Sequence, residues 1–226
     1  MSVSDELAFS FYFKQAQLEN WSVRELRRQI KSSLFERLAL GKNKRRIIEL
    51  SQKGQLAKNP EDIIKDPYIF EFLRIPEKDQ WFEKDLEEAI INQLGQVILE
   101  LGKGFAFVSK QYRITLDNNH FYVDLVFYHH ILKCFVLIDL KNRKVNHQDI
   151  GQMNLYLNYF TSEENTENDN PPIGIVLGAD KNDILVEYAT TGITNQLFVS
   201  KYKLYLPNKE LLKREVRKIM NHGNGE

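Results

Sequence analysis

Residues 121–159 read FYVDLVFYHHILKCFVLIDLKNRKVNHQDIGQMNLYLNY, and the fold turns on this stretch. Two runs rich in Val, Ile, Phe and Tyr, residues 121–128 and 133–140, flank a short connection at 129–132, which is the pattern of a β-hairpin. Each run carries one carboxylate, Asp124 and Asp139. Aspartate is depleted in strands and costly to bury, so two of them inside adjacent apolar strands need a compensating partner, and a bound cation is one. Side chains alternate across a strand, which puts Asp139 and Lys141 on one face and Ile138 and Leu140 on the other. With His130 and Ile131 as the turn, Asp124 falls opposite Leu137 and becomes the diagonal neighbour of Asp139 on the same face, roughly 7–8 Å away. Carboxylates so placed can share one metal ion, whereas a slip of one residue would send them to opposite faces.

Upstream of the hairpin, residues 85–101 place Leu86, Ile90, Leu94, Val97, Ile98 and Leu101 at helical spacing, and Gly102 supplies a stop. Glu87 falls on the apolar side of that helix and needs a partner there. Residues 105–116 form a strand with polar interruptions, followed by a turn at 117–119. Downstream, 146–160 is an amphipathic helix, and 161–172 is an acidic, Asn-rich exposed loop. Residues 173–177 make a wholly apolar strand of the buried kind. Residues 183–188 and 197–206 are further strands, and 209–220 a basic closing helix. Helix, three-stranded meander, helix, strand implies an α/β protein, one mixed sheet with helices against its faces.

Residues 1–58 form a helical segment: Leu7, Phe11, Phe13 and Leu18 make one apolar stripe, and Ser22 with Glu25 forms a capping box opening a helix at 23–40. Twelve Lys or Arg stand here against six Asp or Glu, with a cluster at Lys42, Lys44, Arg45 and Arg46 that reads either as a solvated helix face or as a phosphate-contacting surface. Residues 53–62, with Gly54 and Pro60, read as a linker.

The chain has 226 residues and zero formal net charge, so any attraction for nucleic acid must be local. One cysteine, Cys134, excludes an intrachain disulfide. No signal-peptide pattern and no apolar run of about 18 residues occurs, so a cytoplasmic protein that does not engage a membrane is expected. His120, His129, His130 and His147 lack zinc-site spacing, and the GxxxxGK[ST] phosphate-loop pattern is missing. Phe121, Tyr122, Phe127 and Tyr128 read as core and sheet aromatics.

Asp124, fourteen intervening positions, then Asp139-Leu140-Lys141 resembles the PD-(D/E)XK nuclease signature. Gln152 and Tyr156, one helical turn apart in GQMNLY, resemble the Q-x-x-x-Y element of its RecB-type members. KDLEEAIINQLGQVILELGKGFAFV, FYVDLVFY, GQMNLYLN and LFVSKYKLYLP are similar to YhcG-type PDDEXK nucleases, over roughly residues 67–220. The resemblance implies a restriction endonuclease-like αβββαβ core at 67–220, preceded by a larger helical domain of which residues 1–58 resemble the last part. The sequence departs from the pattern at two points: Val123 stands where the wider superfamily has Pro, and Asp139 where close relatives usually have Glu.

By resemblance the activity is metal-dependent hydrolysis of nucleic acid, most readily DNA, with Mg²⁺ as cofactor and Mn²⁺ as a substitute. Asp124, Asp139 and the backbone carbonyl of Leu140 make a partial oxygen shell of the kind Mg²⁺ takes. Glu87 either completes a metal site or forms a structural ion pair. Lys141 is implied as the catalytic lysine, and Gln152 and Tyr156 position substrate phosphate or that lysine. Arg143 and Lys144 lie where they either meet the nucleic-acid backbone or remain a solvated loop. Two other readings stay open: a catalytically silent nucleic-acid-binding or interaction module with the same fold, and a scaffold whose acids only make ion pairs. A homodimer is compatible with the chain, and a longer N-terminal domain would add partners.

Overall fold

The computed structural model describes residues 5–40, 42–75 and 82–222. In chain order the elements begin with helices α1 Glu6–Glu19, α2 Val23–Lys31, α3 Leu34–Ala39 and α4 Lys44–Lys53, then the short strand β1 Tyr68–Ile69. Helices α5 Glu83–Asn92 and α6 Leu94–Leu101 precede the meander β2 Phe105–Leu116, β3 Asn119–His129 and β4 Cys134–Lys144. The rest is α7 His147–Tyr159, β5 Ile173–Asp180, α8 Asp183–Thr190, β6 Gln196–Lys203 and α9 Lys209–His222. The chain divides into two compact units, Ala57–Leu204 and a helical unit of Met1–Leu56 with Tyr205–Glu226. The closing helix α9 thus groups with the N-terminal helices, where Val216 joins Phe11, Phe35, Leu38 and Ile47 in one apolar core.

Within the sheet unit the six strands run in the order β1-β6-β5-β4-β3-β2. The meander is antiparallel, whereas β5 is parallel to β4 and β6 to β5. One sheet face packs Phe127, Ile138, Leu140 and Ile175 against Leu86, Ile90, Val97 and Leu101 of α5 and α6. The other packs Val126, Leu137 and Val176 against Ile150, Met153 and Leu157 of α7. Burying both faces explains the unbroken apolar run of β5. Gly174 lets α7 approach that strand closely, because a Cβ there would stand 2.7 Å from the Met153 side chain.

Sequence and structure part at several elements. The hairpin pairs Val126 with Leu137 and Leu125 with Ile138, two residues away from the expected register, because the connection takes four residues, His130 to Lys133, instead of two. An even shift leaves the facing of the paired residues unchanged, and Asp124 lies just past the last pair, Leu125 with Ile138. The helix expected at 85–101 is two helices, broken where Gln93 leaves helical geometry at φ −118° and ψ 25°. The helix expected at 23–40 breaks likewise at Ser32 and Ser33, the latter with φ 56°. Residues 183–188, expected as a strand, are α8: the Asn182 Oδ1 caps it by accepting from the Ile184 and Leu185 amides at 3.1 and 3.2 Å. An apolar run that short does not distinguish strand from helix, and the cap decides.

Candidate active site

The sheet positions the two acids by ending a ladder early. β3 pairs with β2 from Asn119 to His129 except at Asp124, but its last pair with β4 is Leu125 with Ile138. Beyond that pair β3 and β2 leave the sheet as a two-stranded arm, and the fork between arm and β4 opens at Asp124. The alternation of faces also breaks there: Leu125 belongs to the core under α5 and α6, whereas Val123 belongs to the α7 side. Directly across, Gln111 of β2 has φ 49°, a left-handed backbone that re-aims the strand.

In the fork the Asp124 Oδ2 accepts the Leu140 amide at 2.7 Å, a bond that replaces the missing ladder pair. The N–H and C=O of one strand residue share an edge, so the Leu140 carbonyl also faces this fork. The Gln111 side-chain amide donates to Asp124 Oδ1 at 2.9 Å and to Glu87 Oε2 at 2.6 Å. Asp139, 2% exposed, holds the Lys141 ammonium at 2.7 Å. Glu83, beside Glu87 on α5, accepts the Asn142 amide at 3.2 Å. The Tyr202 hydroxyl donates to the Lys141 carbonyl at 3.3 Å and fixes the strand behind the lysine.

Burial sets the electrostatics. It pushes Asp124 up to about 6, with Glu87 adding to the effect and the Leu140 amide opposing it. Burial, reinforced by Asp124, pushes Asp139 up to about 7 against the pull of Lys141. Glu87 is raised by burial as well, Gln111 opposing. Burial disfavours the Lys141 ammonium, but Asp139, Asp124 and Glu83 together outweigh it and hold the lysine above its ordinary value. The site is therefore an excess of carboxylates gathered around one ammonium, in surroundings that penalise their charge.

The other predicted residues lie as follows. Tyr156 is buried; its hydroxyl accepts from Gln152 and donates to the Tyr122 carbonyl at 2.9 Å, which ties α7 to the arm. Arg143 grips Asp149 with two bonds of 2.7 and 2.8 Å, and Asp149 in turn accepts the Asn146 amide that opens α7. Arg143 is thereby engaged in shaping the strand-to-helix corner, while Lys144 is exposed. Lys44, Arg45 and Arg46 form the first turn of α4 in the helical unit, just after Lys42. Gln111 and Glu83 were not singled out in the sequence. The only signal for Gln111 is the polar run Ser109-Lys110-Gln111 inside β2, and its partner lies across a strand pair. Among the described residues no group of three or more His, Cys, Asp and Glu side chains is arranged to hold a metal ion. No helix among them is long and apolar enough to cross a membrane.

A mixed sheet covered by helices, with an acid pair and a D-x-K lysine at the fork of its meander, is the arrangement of the PD-(D/E)XK nuclease class. The family described as YhcG PDDEXK nuclease domain matches residues 61–217, and the chain belongs to it. It is similar to the Escherichia coli (strain K12) protein named "Putative nuclease YhcG", with 41% identity over 216 residues, and spans 96% of its own length but 57% of that relative's. Among solved structures it resembles a repair endonuclease from Pyrococcus abyssi at 17% identity, over 58% of this chain and 50% of that one, with a TM-score of 0.40. It also resembles the EndoMS-dsDNA2 complex at 16% identity, over 59% and 50%, with a TM-score of 0.38.

Proposed function

We propose that this domain hydrolyses phosphodiester bonds of DNA with the help of a divalent metal ion. The observation that carries the reading is the convergence of Asp124, Asp139 and Lys141 at the opening of the β3–β4 fork, with the Leu140 carbonyl on the same edge. Two carboxylates and a backbone carbonyl are hard oxygen donors, of the kind that would hold Mg²⁺ or Mn²⁺. Both carboxylates are raised by burial and by neighbouring acids, an imbalance that a cation would relieve. Held by Asp124, Asp139 and the Leu140 carbonyl, a divalent ion would supply charge stabilisation at the phosphoryl oxygens and would favour ionisation of the attacking water.

The remaining work falls to side chains of this chain. Lys141, held in place by Asp139, directs its ammonium at the negative charge that builds on the phosphoryl group and orients the water. Gln111 keeps Glu87 and Asp124 at a fixed spacing, which leaves Glu87 able to accept a proton or a hydrogen bond beside the reacting centre. Gln152 and Tyr156 act at one remove, by anchoring the arm. Lys42, Lys44, Arg45, Arg46 and Lys144 remain candidates for contact with the nucleic-acid backbone.

The test is a panel of circular, linear and single-stranded DNA together with RNA, incubated with Mg²⁺, Mn²⁺ or EDTA. Metal-dependent breakage of DNA in preference to RNA is the expected result. Breakage that persists in EDTA, or that is confined to RNA, contradicts the reading.

A further inference from the structure

The face of the arm that points away from α7 is not accounted for by the chemistry above. Along β2 the residues Tyr112 and Ile114 turn inward, and Tyr112 is tied to Glu164 through its hydroxyl at 2.6 Å and to Phe160 at 5.1 Å between ring centroids. Along β3, Phe121 and Val123 likewise join the core on α7. The intervening residues form the outer face: Arg113 lies across from Tyr122 and Thr115 from His120, while Gln111 and Asp124, between the pairs Lys110–Leu125 and Tyr112–Val123, meet through their side chains. Residues paired across an antiparallel ladder share a face. The Thr115 Oγ1 and His120 Nδ1 meet at 3.1 Å on this face, and Gln111, at the inner end of the arm, donates to both Asp124 and Glu87 of α5. Arg113, Thr115, His120 and Tyr122 are exposed, Tyr122 to 45%. Sequence alone reads Tyr122 as a core and sheet aromatic in preference to a stacking partner for a base. Among the described residues Arg113 has no ion-pair partner and the Tyr122 ring has no ring contact.

An arm whose inner end holds the acids and whose outer face carries an unpaired guanidinium beside an open aromatic ring has the composition of a single-strand track. The guanidinium complements a phosphate, and the ring offers a platform for a base. Arg113 is two residues beyond Gln111 along β2, on the stretch of the arm that adjoins the acids. We infer that the outer face of the arm binds the substrate strand next to the scissile phosphate: Arg113 holds the adjoining phosphate, and Tyr122 stacks on an unpaired base. The inference rests on the nuclease reading and sharpens it, since stacking on an exposed ring requires a base outside the duplex. The substrate class is single-stranded or locally unpaired DNA.

The experiment measures fluorescence anisotropy of a labelled single-stranded oligonucleotide, and of the same sequence as a duplex, with Lys141→Ala protein in Mg²⁺ across a salt series. Arg113→Gln in that background is expected to weaken single-strand binding about fivefold and to make the dependence of log Kd on log salt shallower by about 0.7. Tyr122→Ala is expected to weaken it about tenfold, and Tyr122→Phe, which keeps the ring, to stay near the parent. Both positions are exposed, and an unchanged melting temperature confirms that each variant is folded. If the parent protein binds DNA while Arg113→Gln and Tyr122→Ala match it in affinity and slope, the track is overturned and the nuclease reading stands. Preference for the intact duplex, with Tyr122→Ala inert, overturns it equally. A parent that binds neither form removes the nuclease reading and the track together.

Discussion

The two acids are legible in the sequence because strands seldom carry buried carboxylates without cause, and Lys141 because it shares a strand face with Asp139. Gln111 was not legible, since a polar residue on a half-exposed strand has no signature until its cross-strand partner is known. Replacing Lys141 with Ala should lower cleavage at least a hundredfold, the scale of losing one group that stabilises transition-state charge. Mn²⁺ binding measured by calorimetry should remain, and cleavage within a few-fold of the parent would remove the role given to this lysine. The acids also fix a pH dependence. Asp124 and Asp139 sit at about 6 and about 7 in the folded protein, against 3.8 for a free aspartate, so between about pH 4 and about 7 the folded state holds more protons than the unfolded chain. Stability of the metal-free protein therefore falls as pH rises through that window. Melting temperatures in EDTA should decline from pH 5 to pH 8, Asp139→Asn should flatten the decline, and a curve rising with pH would contradict the assignment.

Among the elements, the meander and the helix after it follow from period-2 and 3.6 patterns over long segments, and these the sequence reading places within a few residues. Breaks such as Gln93 and Ser33 escaped because continuous apolar spacing hides a local change of backbone direction. The register was missed by two residues, since turn length is set by geometry at His129, whose ring nitrogens meet the Lys103 carbonyl and the Leu132 amide at 3.1 Å. That ring leaves no space for a side chain at Gly104, which has φ 109° and whose Cβ would come within 2.5 Å of it. Gly104→Ala should therefore destabilise by more than about 1 kcal/mol, through strain as well as overlap. Tyr156→Phe removes the bond to the Tyr122 carbonyl and should cost about 1–2 kcal/mol in urea unfolding. If α7 anchors the arm as described, hydrogen exchange at residues 119–123 should also quicken in that variant, and unchanged protection would show the arm held by other means.

For the whole molecule, sequence marks a helical segment at 1–58 and a nuclease domain at 67–220, and the family match at 61–217 likewise runs into α9, whereas packing groups that helix with the N-terminal ones. Val216, 6% exposed, lies in the core of the helical unit. Val216→Asp buries an unpaired charge there and should lower protection in α1, α3 and α4 by several kcal/mol in hydrogen exchange; loss confined to the sheet unit would contradict the division. Neutralising Lys42, Lys44, Arg45 and Arg46 together should flatten the salt dependence of DNA binding, whereas an unchanged slope identifies the cluster as a solvated face. The most direct test of the central claim is cleavage of DNA by the purified protein and by Asp139→Ala, prepared side by side and assayed in Mg²⁺. The account predicts cleavage by the parent and none by the variant. Equal cleavage by both would assign the activity to a contaminant or to another site, and would remove the Asp124, Asp139 and Lys141 cluster from the chemistry.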